Sequence, residues 1–503
     1  MPTIINQLKG GIIEMKKYLI FIVILTLIGT LSLGFAQTQS NSPRDHSLIQ
    51  EPGVDAAIKV LDVWIEAKMK DREQPGLSIG IVYDQDLIWA KGYGFADIDN
   101  KVSAKPSTLY RIASISKLFT STAILQLRDA GKLQLDDPVA KHLSWFKIKS
   151  VSPDGPTITI RHLLTHTSGL PREATGVSWN ELTFPTRQDM IRQLPDQETV
   201  FPADTEFKYS NLALSLAGEI VTAVSGEPWP QYIESHILKP LGMTNTNPLP
   251  KPDMLGLAVG YGRRVPGESR TVEPFVDTEA ERPAANIASS VEDLAKFIFL
   301  QLNDSPSAGD QVLKKSTLHE MHRVHWLRPD WQSGWGLGFG VFRVGEQTRV
   351  GHGGSLPGHR TQLSISLDQK LGVIVLTNAY DGNPALYLNK AFELVGPAII
   401  HATTPPKAAS VPDPEWEKYT GTYTWKHSDR IIMILNGELT MIVPESDNPW
   451  ESRVKLKPVN KRTFQAIPSQ QSYSLNGELL TFELDEQGRV KRFGSPSSYW
   501  VRK

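Results

Sequence analysis

Ser114 and Lys117 stand three residues apart in YRIASISKLFTSTAILQL, where the sequence predicts the beginning of a helix. On a helix that spacing brings two side chains together on one face. A serine hydroxyl is a poor nucleophile until a base takes its proton, and a nearby lysine can do so when burial and a helix N-terminus favour its neutral amine. The chemistry suggested is acyl transfer to Ser114. Ser-x-x-Lys is nevertheless a common tetrapeptide, and Ser116 offers a second hydroxyl, although its place beside Lys117 fits helix packing or capping better. Two later clusters add weight. FKYSNLALSLAG carries Tyr209 and Asn211 on either side of Ser210 at another helix start. A phenol near a second cation can relay a proton, and an amide can orient the lysine or a substrate carbonyl. VGHGGSLPGHRTQLSIS then sets His352, Gly353, Gly354 and Ser355 at the start of a β-rich run. Glycine there lets substrate approach the backbone, and a strand N–H can donate to a developing oxyanion.

Composition narrows the chemistry. The 503 residues include no cysteine, which removes disulfides, thiol catalysis, zinc–thiolate sites and Cys-ligated iron–sulfur clusters. Lys plus Arg total 53 and Asp plus Glu 54, a net charge of -1 that argues against an extended nucleic-acid surface. His162 and His166 have a helical metal-ligand spacing, but without H-E-x-x-H they read as structural hydrogen bonders. His319, His322 and His325 read as a solvated or interdomain helix face. No metal and no cofactor is called for. Trp331, Trp335 and Phe339, ahead of His352, could wall a cleft or pack a core.

These residues need elements to position them. Apolar spacing predicts a helix over 54–69, and LSIGIVYD and LIWAKGYG, from Leu77 and Leu87, read as strands joined at Asp84-Gln85-Asp86. Further helices are expected from Ser116 to Ala130 before Gly131, from Asn211 to just short of Gly226, and after the capping-box-like Ser290–Asp293. Beyond Trp331 short β-type runs take over. The segment 402–414, with four prolines, marks a domain boundary between residues 54–401 and 415–503. Past it, Asn-Gly pairs at 436–437 and 476–477 predict two type I′ hairpins, and KLKPV, RTFQAI and VKRFG add strands of a small antiparallel barrel or sandwich. At the other end, Lys16-Lys17, the apolar run to Ala36 and the small residues Gly34 and Ala36 have the form of a signal peptide over 1–36, with Met15 an alternative start. Residues 37–53 then form a polar tether. This places the body in the periplasm or outside the cell, unless the apolar run stays as a membrane anchor.

In this order the motifs resemble the penicillin-recognising serine hydrolases, especially the class C beta-lactamase and D-alanyl-D-alanine carboxypeptidase branch. S-I-S-K carries Ser114 and Lys117, Y-S-N carries Tyr209 to Asn211, and H-G-G at 352–354 stands where that branch has K-T-G. LLTHTSGLP at 163–171, DAGKLQLDDPV at 129–139 and SSVEDLAKF at 289–297 agree, so the likeness covers roughly residues 55–400. It implies an α+β fold, an α/β sandwich with an antiparallel sheet beside a helical region, with Ser114 at their junction. The C-terminal part resembles the lipocalin-like barrel of several family peptidases. By position the resemblance makes Ser114 the acylated nucleophile and Lys117 its base partner, with Tyr209 exchanging protons or activating water. It also gives Asn211 the substrate amide, and the backbone N–H groups of Ser114 and Ser355 the oxyanion. Departures include Ala203 in PADTEF, where a glycine is often seen, and the lack of S-D-N and of a class A deacylating glutamate.

His352 is the departure that bears on substrate. An imidazole with a reference pKa of about 6.5 is mostly neutral at neutral pH, which weakens recognition of a carboxylate and suits esterases and D-aminopeptidases at least as well. Carboxylate substrates are then expected to gain below about pH 6.5, with Arg360 the competing source of charge. The expectation is an exported serine hydrolase acting by acyl transfer on small esters or peptides, including D-amino-acid peptides. Beta-lactamase or D,D-carboxypeptidase action is one alternative. A non-catalytic, penicillin-binding-like protein that holds cell-wall peptide is the other. Nucleic acid is not an expected partner; membrane association is expected only through the N-terminal segment.

Overall fold

The computed structural model describes residues 47–303, 312–404, 412–426, 428–444, 446, 452–468 and 475–503. The targeting segment, most of the tether and residues 405–411 of the proline-rich link lie outside them. Two compact units divide at Ala402 and Thr403.

In the first unit the chain builds β1 (Gly76–Tyr83), β2 (Asp86–Asp97), β3 (Val102–Ser103), β4 (Tyr110–Arg111) and β5 (Ala288–Ser289). Then come β6 (Trp326–Leu327), β7 (Ser333–Trp335), β8 (Gly340–Val344), β9 (Gln347–Leu356), β10 (His359–Ser366) and β11 (Leu371–Thr377). All but β4 and β5, which pair with each other, form a nine-stranded antiparallel sheet in the order β3-β2-β1-β11-β10-β9-β8-β7-β6. The first and last strands of the unit thus pair inside the sheet, β1 against β11.

Alternation on those central strands explains the layers. Leu77, Ile79 and Ile81 of β1, with Leu371, Val373 and Val375 of β11, face helix α1 (Pro52–Asp71) and the C-terminal helix of the unit, Pro384–Thr403. Val82, Ile374 and Leu376 point the other way, into the core shared with the remaining helices. The longest of those are α2 (Ser116–Asp129), α3 (Asn211–Ser225) and α4 (Val291–Leu302), and Pro384–Thr403 is labelled α5 after them. Ser210 caps α3 by accepting from Ala213 N–H, and Gly226, at φ 81, ends it. Ser290 caps α4, but the other half of the expected capping box is spent elsewhere: Asp293 accepts from Asn245 N–H at 2.8 Å and Thr246 Oγ1 at 2.9 Å.

Helix α5, with Pro397 inside it, was not among the expected elements. Its buried stripe of Tyr387, Leu388, Ala391, Phe392, Val395 and Ile399 has helical spacing, and packing of that stripe on the sheet overrides the proline. No described helix is long and apolar enough to cross a membrane.

The second unit is a closed eight-stranded antiparallel barrel. Its strands are β12 (Gly421–Trp425), β13 (Ser428–Leu435), β14 (Glu438–Ile442), β15 (Val454–Pro458), β16 (Thr463–Pro468), β17 (Leu479–Leu484), β18 (Val490–Ser495) and β19 (Ser498–Arg502). Aromatic rings fill the interior: Phe482 stacks on Tyr419 at 4.3 Å and on Phe493 at 4.4 Å. Asn436 and Gly437, at φ 52 and 75, make the expected tight turn between β13 and β14. The second Asn-Gly pair does not. It lies in the connection between the paired strands β16 and β17, where Gly477 is at φ 82 and donates to Ala466 O, but Asn476 is not in the left-handed region that a type I′ turn needs at both positions. Residues 471–474, the expected first strand of that hairpin, lie outside the described residues. The architecture is the α+β sandwich with a separate all-β barrel that the sequence suggested.

Candidate active site

β4 runs into a single 3-10 turn, Ala113–Ile115, before α2 begins at Ser116. Ala113 sits at φ 49, the left-handed region that a side chain disfavours. This forced bend projects Ser114 from the core, between the sheet and the helices. Strand β9 presses on the same bend. A Cβ on Gly354 would lie 2.2 Å from Ile112 O and 2.2 Å from Thr361 Oγ1, so the glycine serves contact with the nucleophile turn and not the approach of substrate. Thr361 Oγ1 donates to the same Ile112 carbonyl at 3.1 Å.

Ser114 opens into a cavity of about 660 Å3 that Tyr209, Asn211, His352, Gly353, Gly354 and Ser355 also line. Lys117 is wholly buried beneath it. Its Nζ donates to Ser114 Oγ at 3.0 Å, Asn211 Oδ1 at 2.7 Å and Ala284 O at 2.9 Å. With two N–H bonds held by the Asn211 and Ala284 carbonyl oxygens, the remaining tetrahedral direction of the nitrogen points at the serine. Ser116 and Ser210 have other work. Ser116 Oγ accepts from Ile287 N–H at 3.0 Å, and Ser210 donates to Pro171 O while capping α3. The oxygen of Asn211 accepts from Lys117 Nζ, and its Nδ2 donates to Glu173 at 2.8 Å.

Tyr209 is flanked by two cations, Lys117 Nζ at 5.0 Å and Arg172 Cζ at 5.6 Å from its ring centre. The ring lies on His166 at 4.3 Å. His166 is fully buried and accepts from Ser210 N–H at Nδ1; burial first, and then the Lys117 charge, hold its pKa well below the ordinary value. His162 serves helix capping, its Nδ1 accepting from Thr159 N–H. His319, His322 and His325 are not one solvated face: His322 is buried against Gln301 and Phe339, and His325 lies beyond the end of the short helix Lys315–His322. Among the described residues no His, Asp and Glu group could hold a metal. Trp335 backs the site behind His352 and His166, Phe339 is core, and Trp331 is exposed.

His352 corrects the expectation about carboxylates. Its Nδ1 lies 2.6 Å from the Gly353 carbonyl, which only accepts, so Nδ1 carries the hydrogen. Nε2 is buried with no hydrogen-bond partner, and as the other nitrogen of a neutral ring it is an acceptor. Burial, with the Lys117 charge adding, pushes the pKa down to about 3. The ring is therefore neutral near pH 6.5 and has no N–H left for a substrate carboxylate.

Two acids of the site escaped the sequence reading. Glu173 accepts from Asn211, from Trp179 Nε1 at 2.9 Å and from Arg172 Nε at 2.8 Å. Glu281 is buried beside it, and burial followed by the Glu173 charge drives its pKa well above the carboxylate range. No spacing pattern singles out either residue; Glu173 merely follows the LLTHTSGLP segment. Arg360, opposite Ser355 in the β9–β10 register, lines the cavity with its Nε on Tyr380 O at 2.8 Å.

Comparison with known proteins fits this geometry. A family model described as Beta-lactamase matches residues 61–395. Protein flp of Staphylococcus aureus (strain MW2) is 33% identical over 324 residues, 63% of this chain; the chain spans 62% of that relative's length. Beta-lactamase-like protein 2 of Dictyostelium discoideum is 26% identical over 460 residues, 86% of this chain and 82% of its own length. Two solved structures share the fold. The octameric penicillin-binding protein homologue from Pyrococcus abyssi has a TM-score of 0.60 at 24% identity, covering 88% of this chain and 100% of its own. EstCE1, described as a hydrolase with promiscuous acyltransferase activity, has a TM-score of 0.58 at 22% identity, covering 69% and 99%. The family match runs from within α1 to within α5 and takes in the whole sheet with the Ser114 turn, more than half of the chain, and the chain is a member of the beta-lactamase family.

Proposed function

We propose that this protein is an exported serine hydrolase that works by acyl transfer to Ser114 on small esters or short peptides, D-amino-acid peptides included. The observation that carries the reading is Lys117 Nζ, 3.0 Å from Ser114 Oγ at the floor of an open cavity. Ser114 Oγ attacks the substrate carbonyl and its proton passes to Lys117 as the amine. The backbone N–H groups of Ser114 and Ser355 take the oxyanion, and the leaving group departs with a proton returned from Lys117 or Tyr209. Water then attacks the Ser114 ester, losing a proton to Tyr209 or Lys117, and releases the acid with the serine hydroxyl restored. Neutral His352 supports esters and neutral-ended amides over penicillins. The EstCE1 likeness is in keeping with ester chemistry, and export rests on the N-terminal segment.

A second reading, beta-lactamase or D,D-carboxypeptidase action, draws support from Arg360, whose guanidinium borders the cavity and could face a substrate carboxylate. Incubation with a fluorophosphonate, followed by intact mass and peptide mapping, is expected to place one adduct on Ser114. An adduct on another residue, or undiminished ester turnover by Ser114→Ala, rules the reading out.

A further inference from the structure

The acyl-transfer reading uses Ser114, Lys117 and Tyr209 but gives no task to the acids behind them. Glu281 opens the turn whose Ala284 carbonyl accepts from Lys117, and its Oε1 accepts from Ala174 N–H at 2.9 Å. That contact, to the residue following Glu173, sets the Glu281 carboxyl beside the Glu173 carboxyl. Glu173 in turn takes Asn211 Nδ2–H at 2.8 Å, and the oxygen of that amide takes Lys117 at 2.7 Å. Two carboxyl groups can share a hydrogen bond only with a proton between them. Glu281, 1% exposed, is the member that keeps it, whereas Glu173 already accepts from three N–H donors. Other charges nearby are committed. Arg172 is held by Glu173, Arg282 by Asp277 and Glu279, and Glu219 of α3 by Arg187; Lys117 is the cation that favours ionisation of Glu281.

We infer that Glu281 is a positioning residue: its carboxyl hydroxyl donates to Glu173, and Glu173 then locks the Asn211 amide with its oxygen toward Lys117 Nζ. Without that lock the amide can turn over and present an N–H to the lysine, donor against donor. The pair thus acts on the lysine through one side chain, Asn211, and one carbonyl, Ala284. Glutamine at 281 preserves both contacts, since its amide nitrogen can donate to Glu173 while its oxygen accepts from Ala174 N–H. Alanine removes both.

The inference rests on the acyl-transfer reading, and the test separates the two. In the full chain, with a p-nitrophenyl acyl ester, Glu281→Ala is expected to lower kcat at least about 30-fold with KM changed less than about threefold; Glu281→Gln should recover kcat to within about fivefold of wild type. Independently of turnover, the infrared difference between wild type and Glu281→Gln at about pH 7 should contain the carbonyl band of a protonated carboxyl group in wild type. Lack of that band overturns the inference, as does a Glu281→Gln variant no more active than a folded Glu281→Ala. If Glu281→Ala does not fold, the infrared band decides alone. Undiminished turnover by Ser114→Ala defeats the acyl-transfer reading while the infrared result still stands or falls for the carboxyl pair.

Discussion

Lys117 and His352 both sit under the cavity, and their hydrogen bonds assign them opposite parts. Lys117 is aimed at Ser114, so Lys117→Ala should lower kcat for ester hydrolysis by at least about 100-fold while a folded protein still binds substrate; a loss below about tenfold would remove it as the base. His352 faces the cavity as a neutral ring. The ratio of kcat/KM for matched carboxylate-ended and neutral-ended substrates should therefore stay flat between about pH 5 and about pH 8, because a ring titrating at about 3 does not change charge there. A rise in that ratio as the pH falls through about 6.5 would restore the charged histidine. Ser114, Lys117, Tyr209 and Asn211 could be found from sequence because nucleophile and base must lie one helical turn apart and their partner at a helix start. Glu281 could not. What gives it a role is burial and the neighbouring Glu173, 108 positions away in sequence by subtraction, and no local pattern encodes that encounter.

The elements bring a bend and a strand into contact. β9 reaches the Ser114 turn only because position 354 has no side chain. Gly354→Ala must push β9 from Ile112, and it should cost about 1–3 kcal/mol of stability and lower kcat more than it raises KM. A variant with unchanged stability and kcat would show that the contact is slack. Helices α2, α3 and α4 were readable because capping residues and glycine stops punctuate them. α5 was hidden by its internal proline, since only the sheet against which it packs shows that its apolar stripe continues past Pro397. The second Asn-Gly pair shows a related limit: the dipeptide permits a type I′ turn, but the conformation at Asn476 is set by the longer connection from β16 to β17.

Taken whole, the first unit buries four histidines among its described residues. His322, His352 and His359 are pushed down to about 3 and His166 well below 6.5, burial being the largest cause in each. Between 6.5 and about 3 the unfolded chain binds protons that the folded chain refuses, so stability present above pH 6.5 is lost as the pH falls toward the folded values. Each site contributes on the order of a few kcal/mol at full protonation. Calorimetry between about pH 7 and about pH 4 should show the transition of the first unit moving to lower temperature, with proton uptake on unfolding. A pH-independent transition would mean that these rings are solvated. The barrel, with no buried histidine among its described residues, should be the less acid-sensitive of the two.

The barrel has a colloidal consequence as well. β12 pairs with β19, so among the described residues the ring of strands closes and no strand is left as an edge for another chain to extend. The described strands of that unit therefore offer no edge for copies of this chain to join by strand addition. Any assembly there must be made from outward side chains such as Trp425, Tyr499 and Val501, which makes it a matter of surface composition that single substitutions can tune without disturbing the fold.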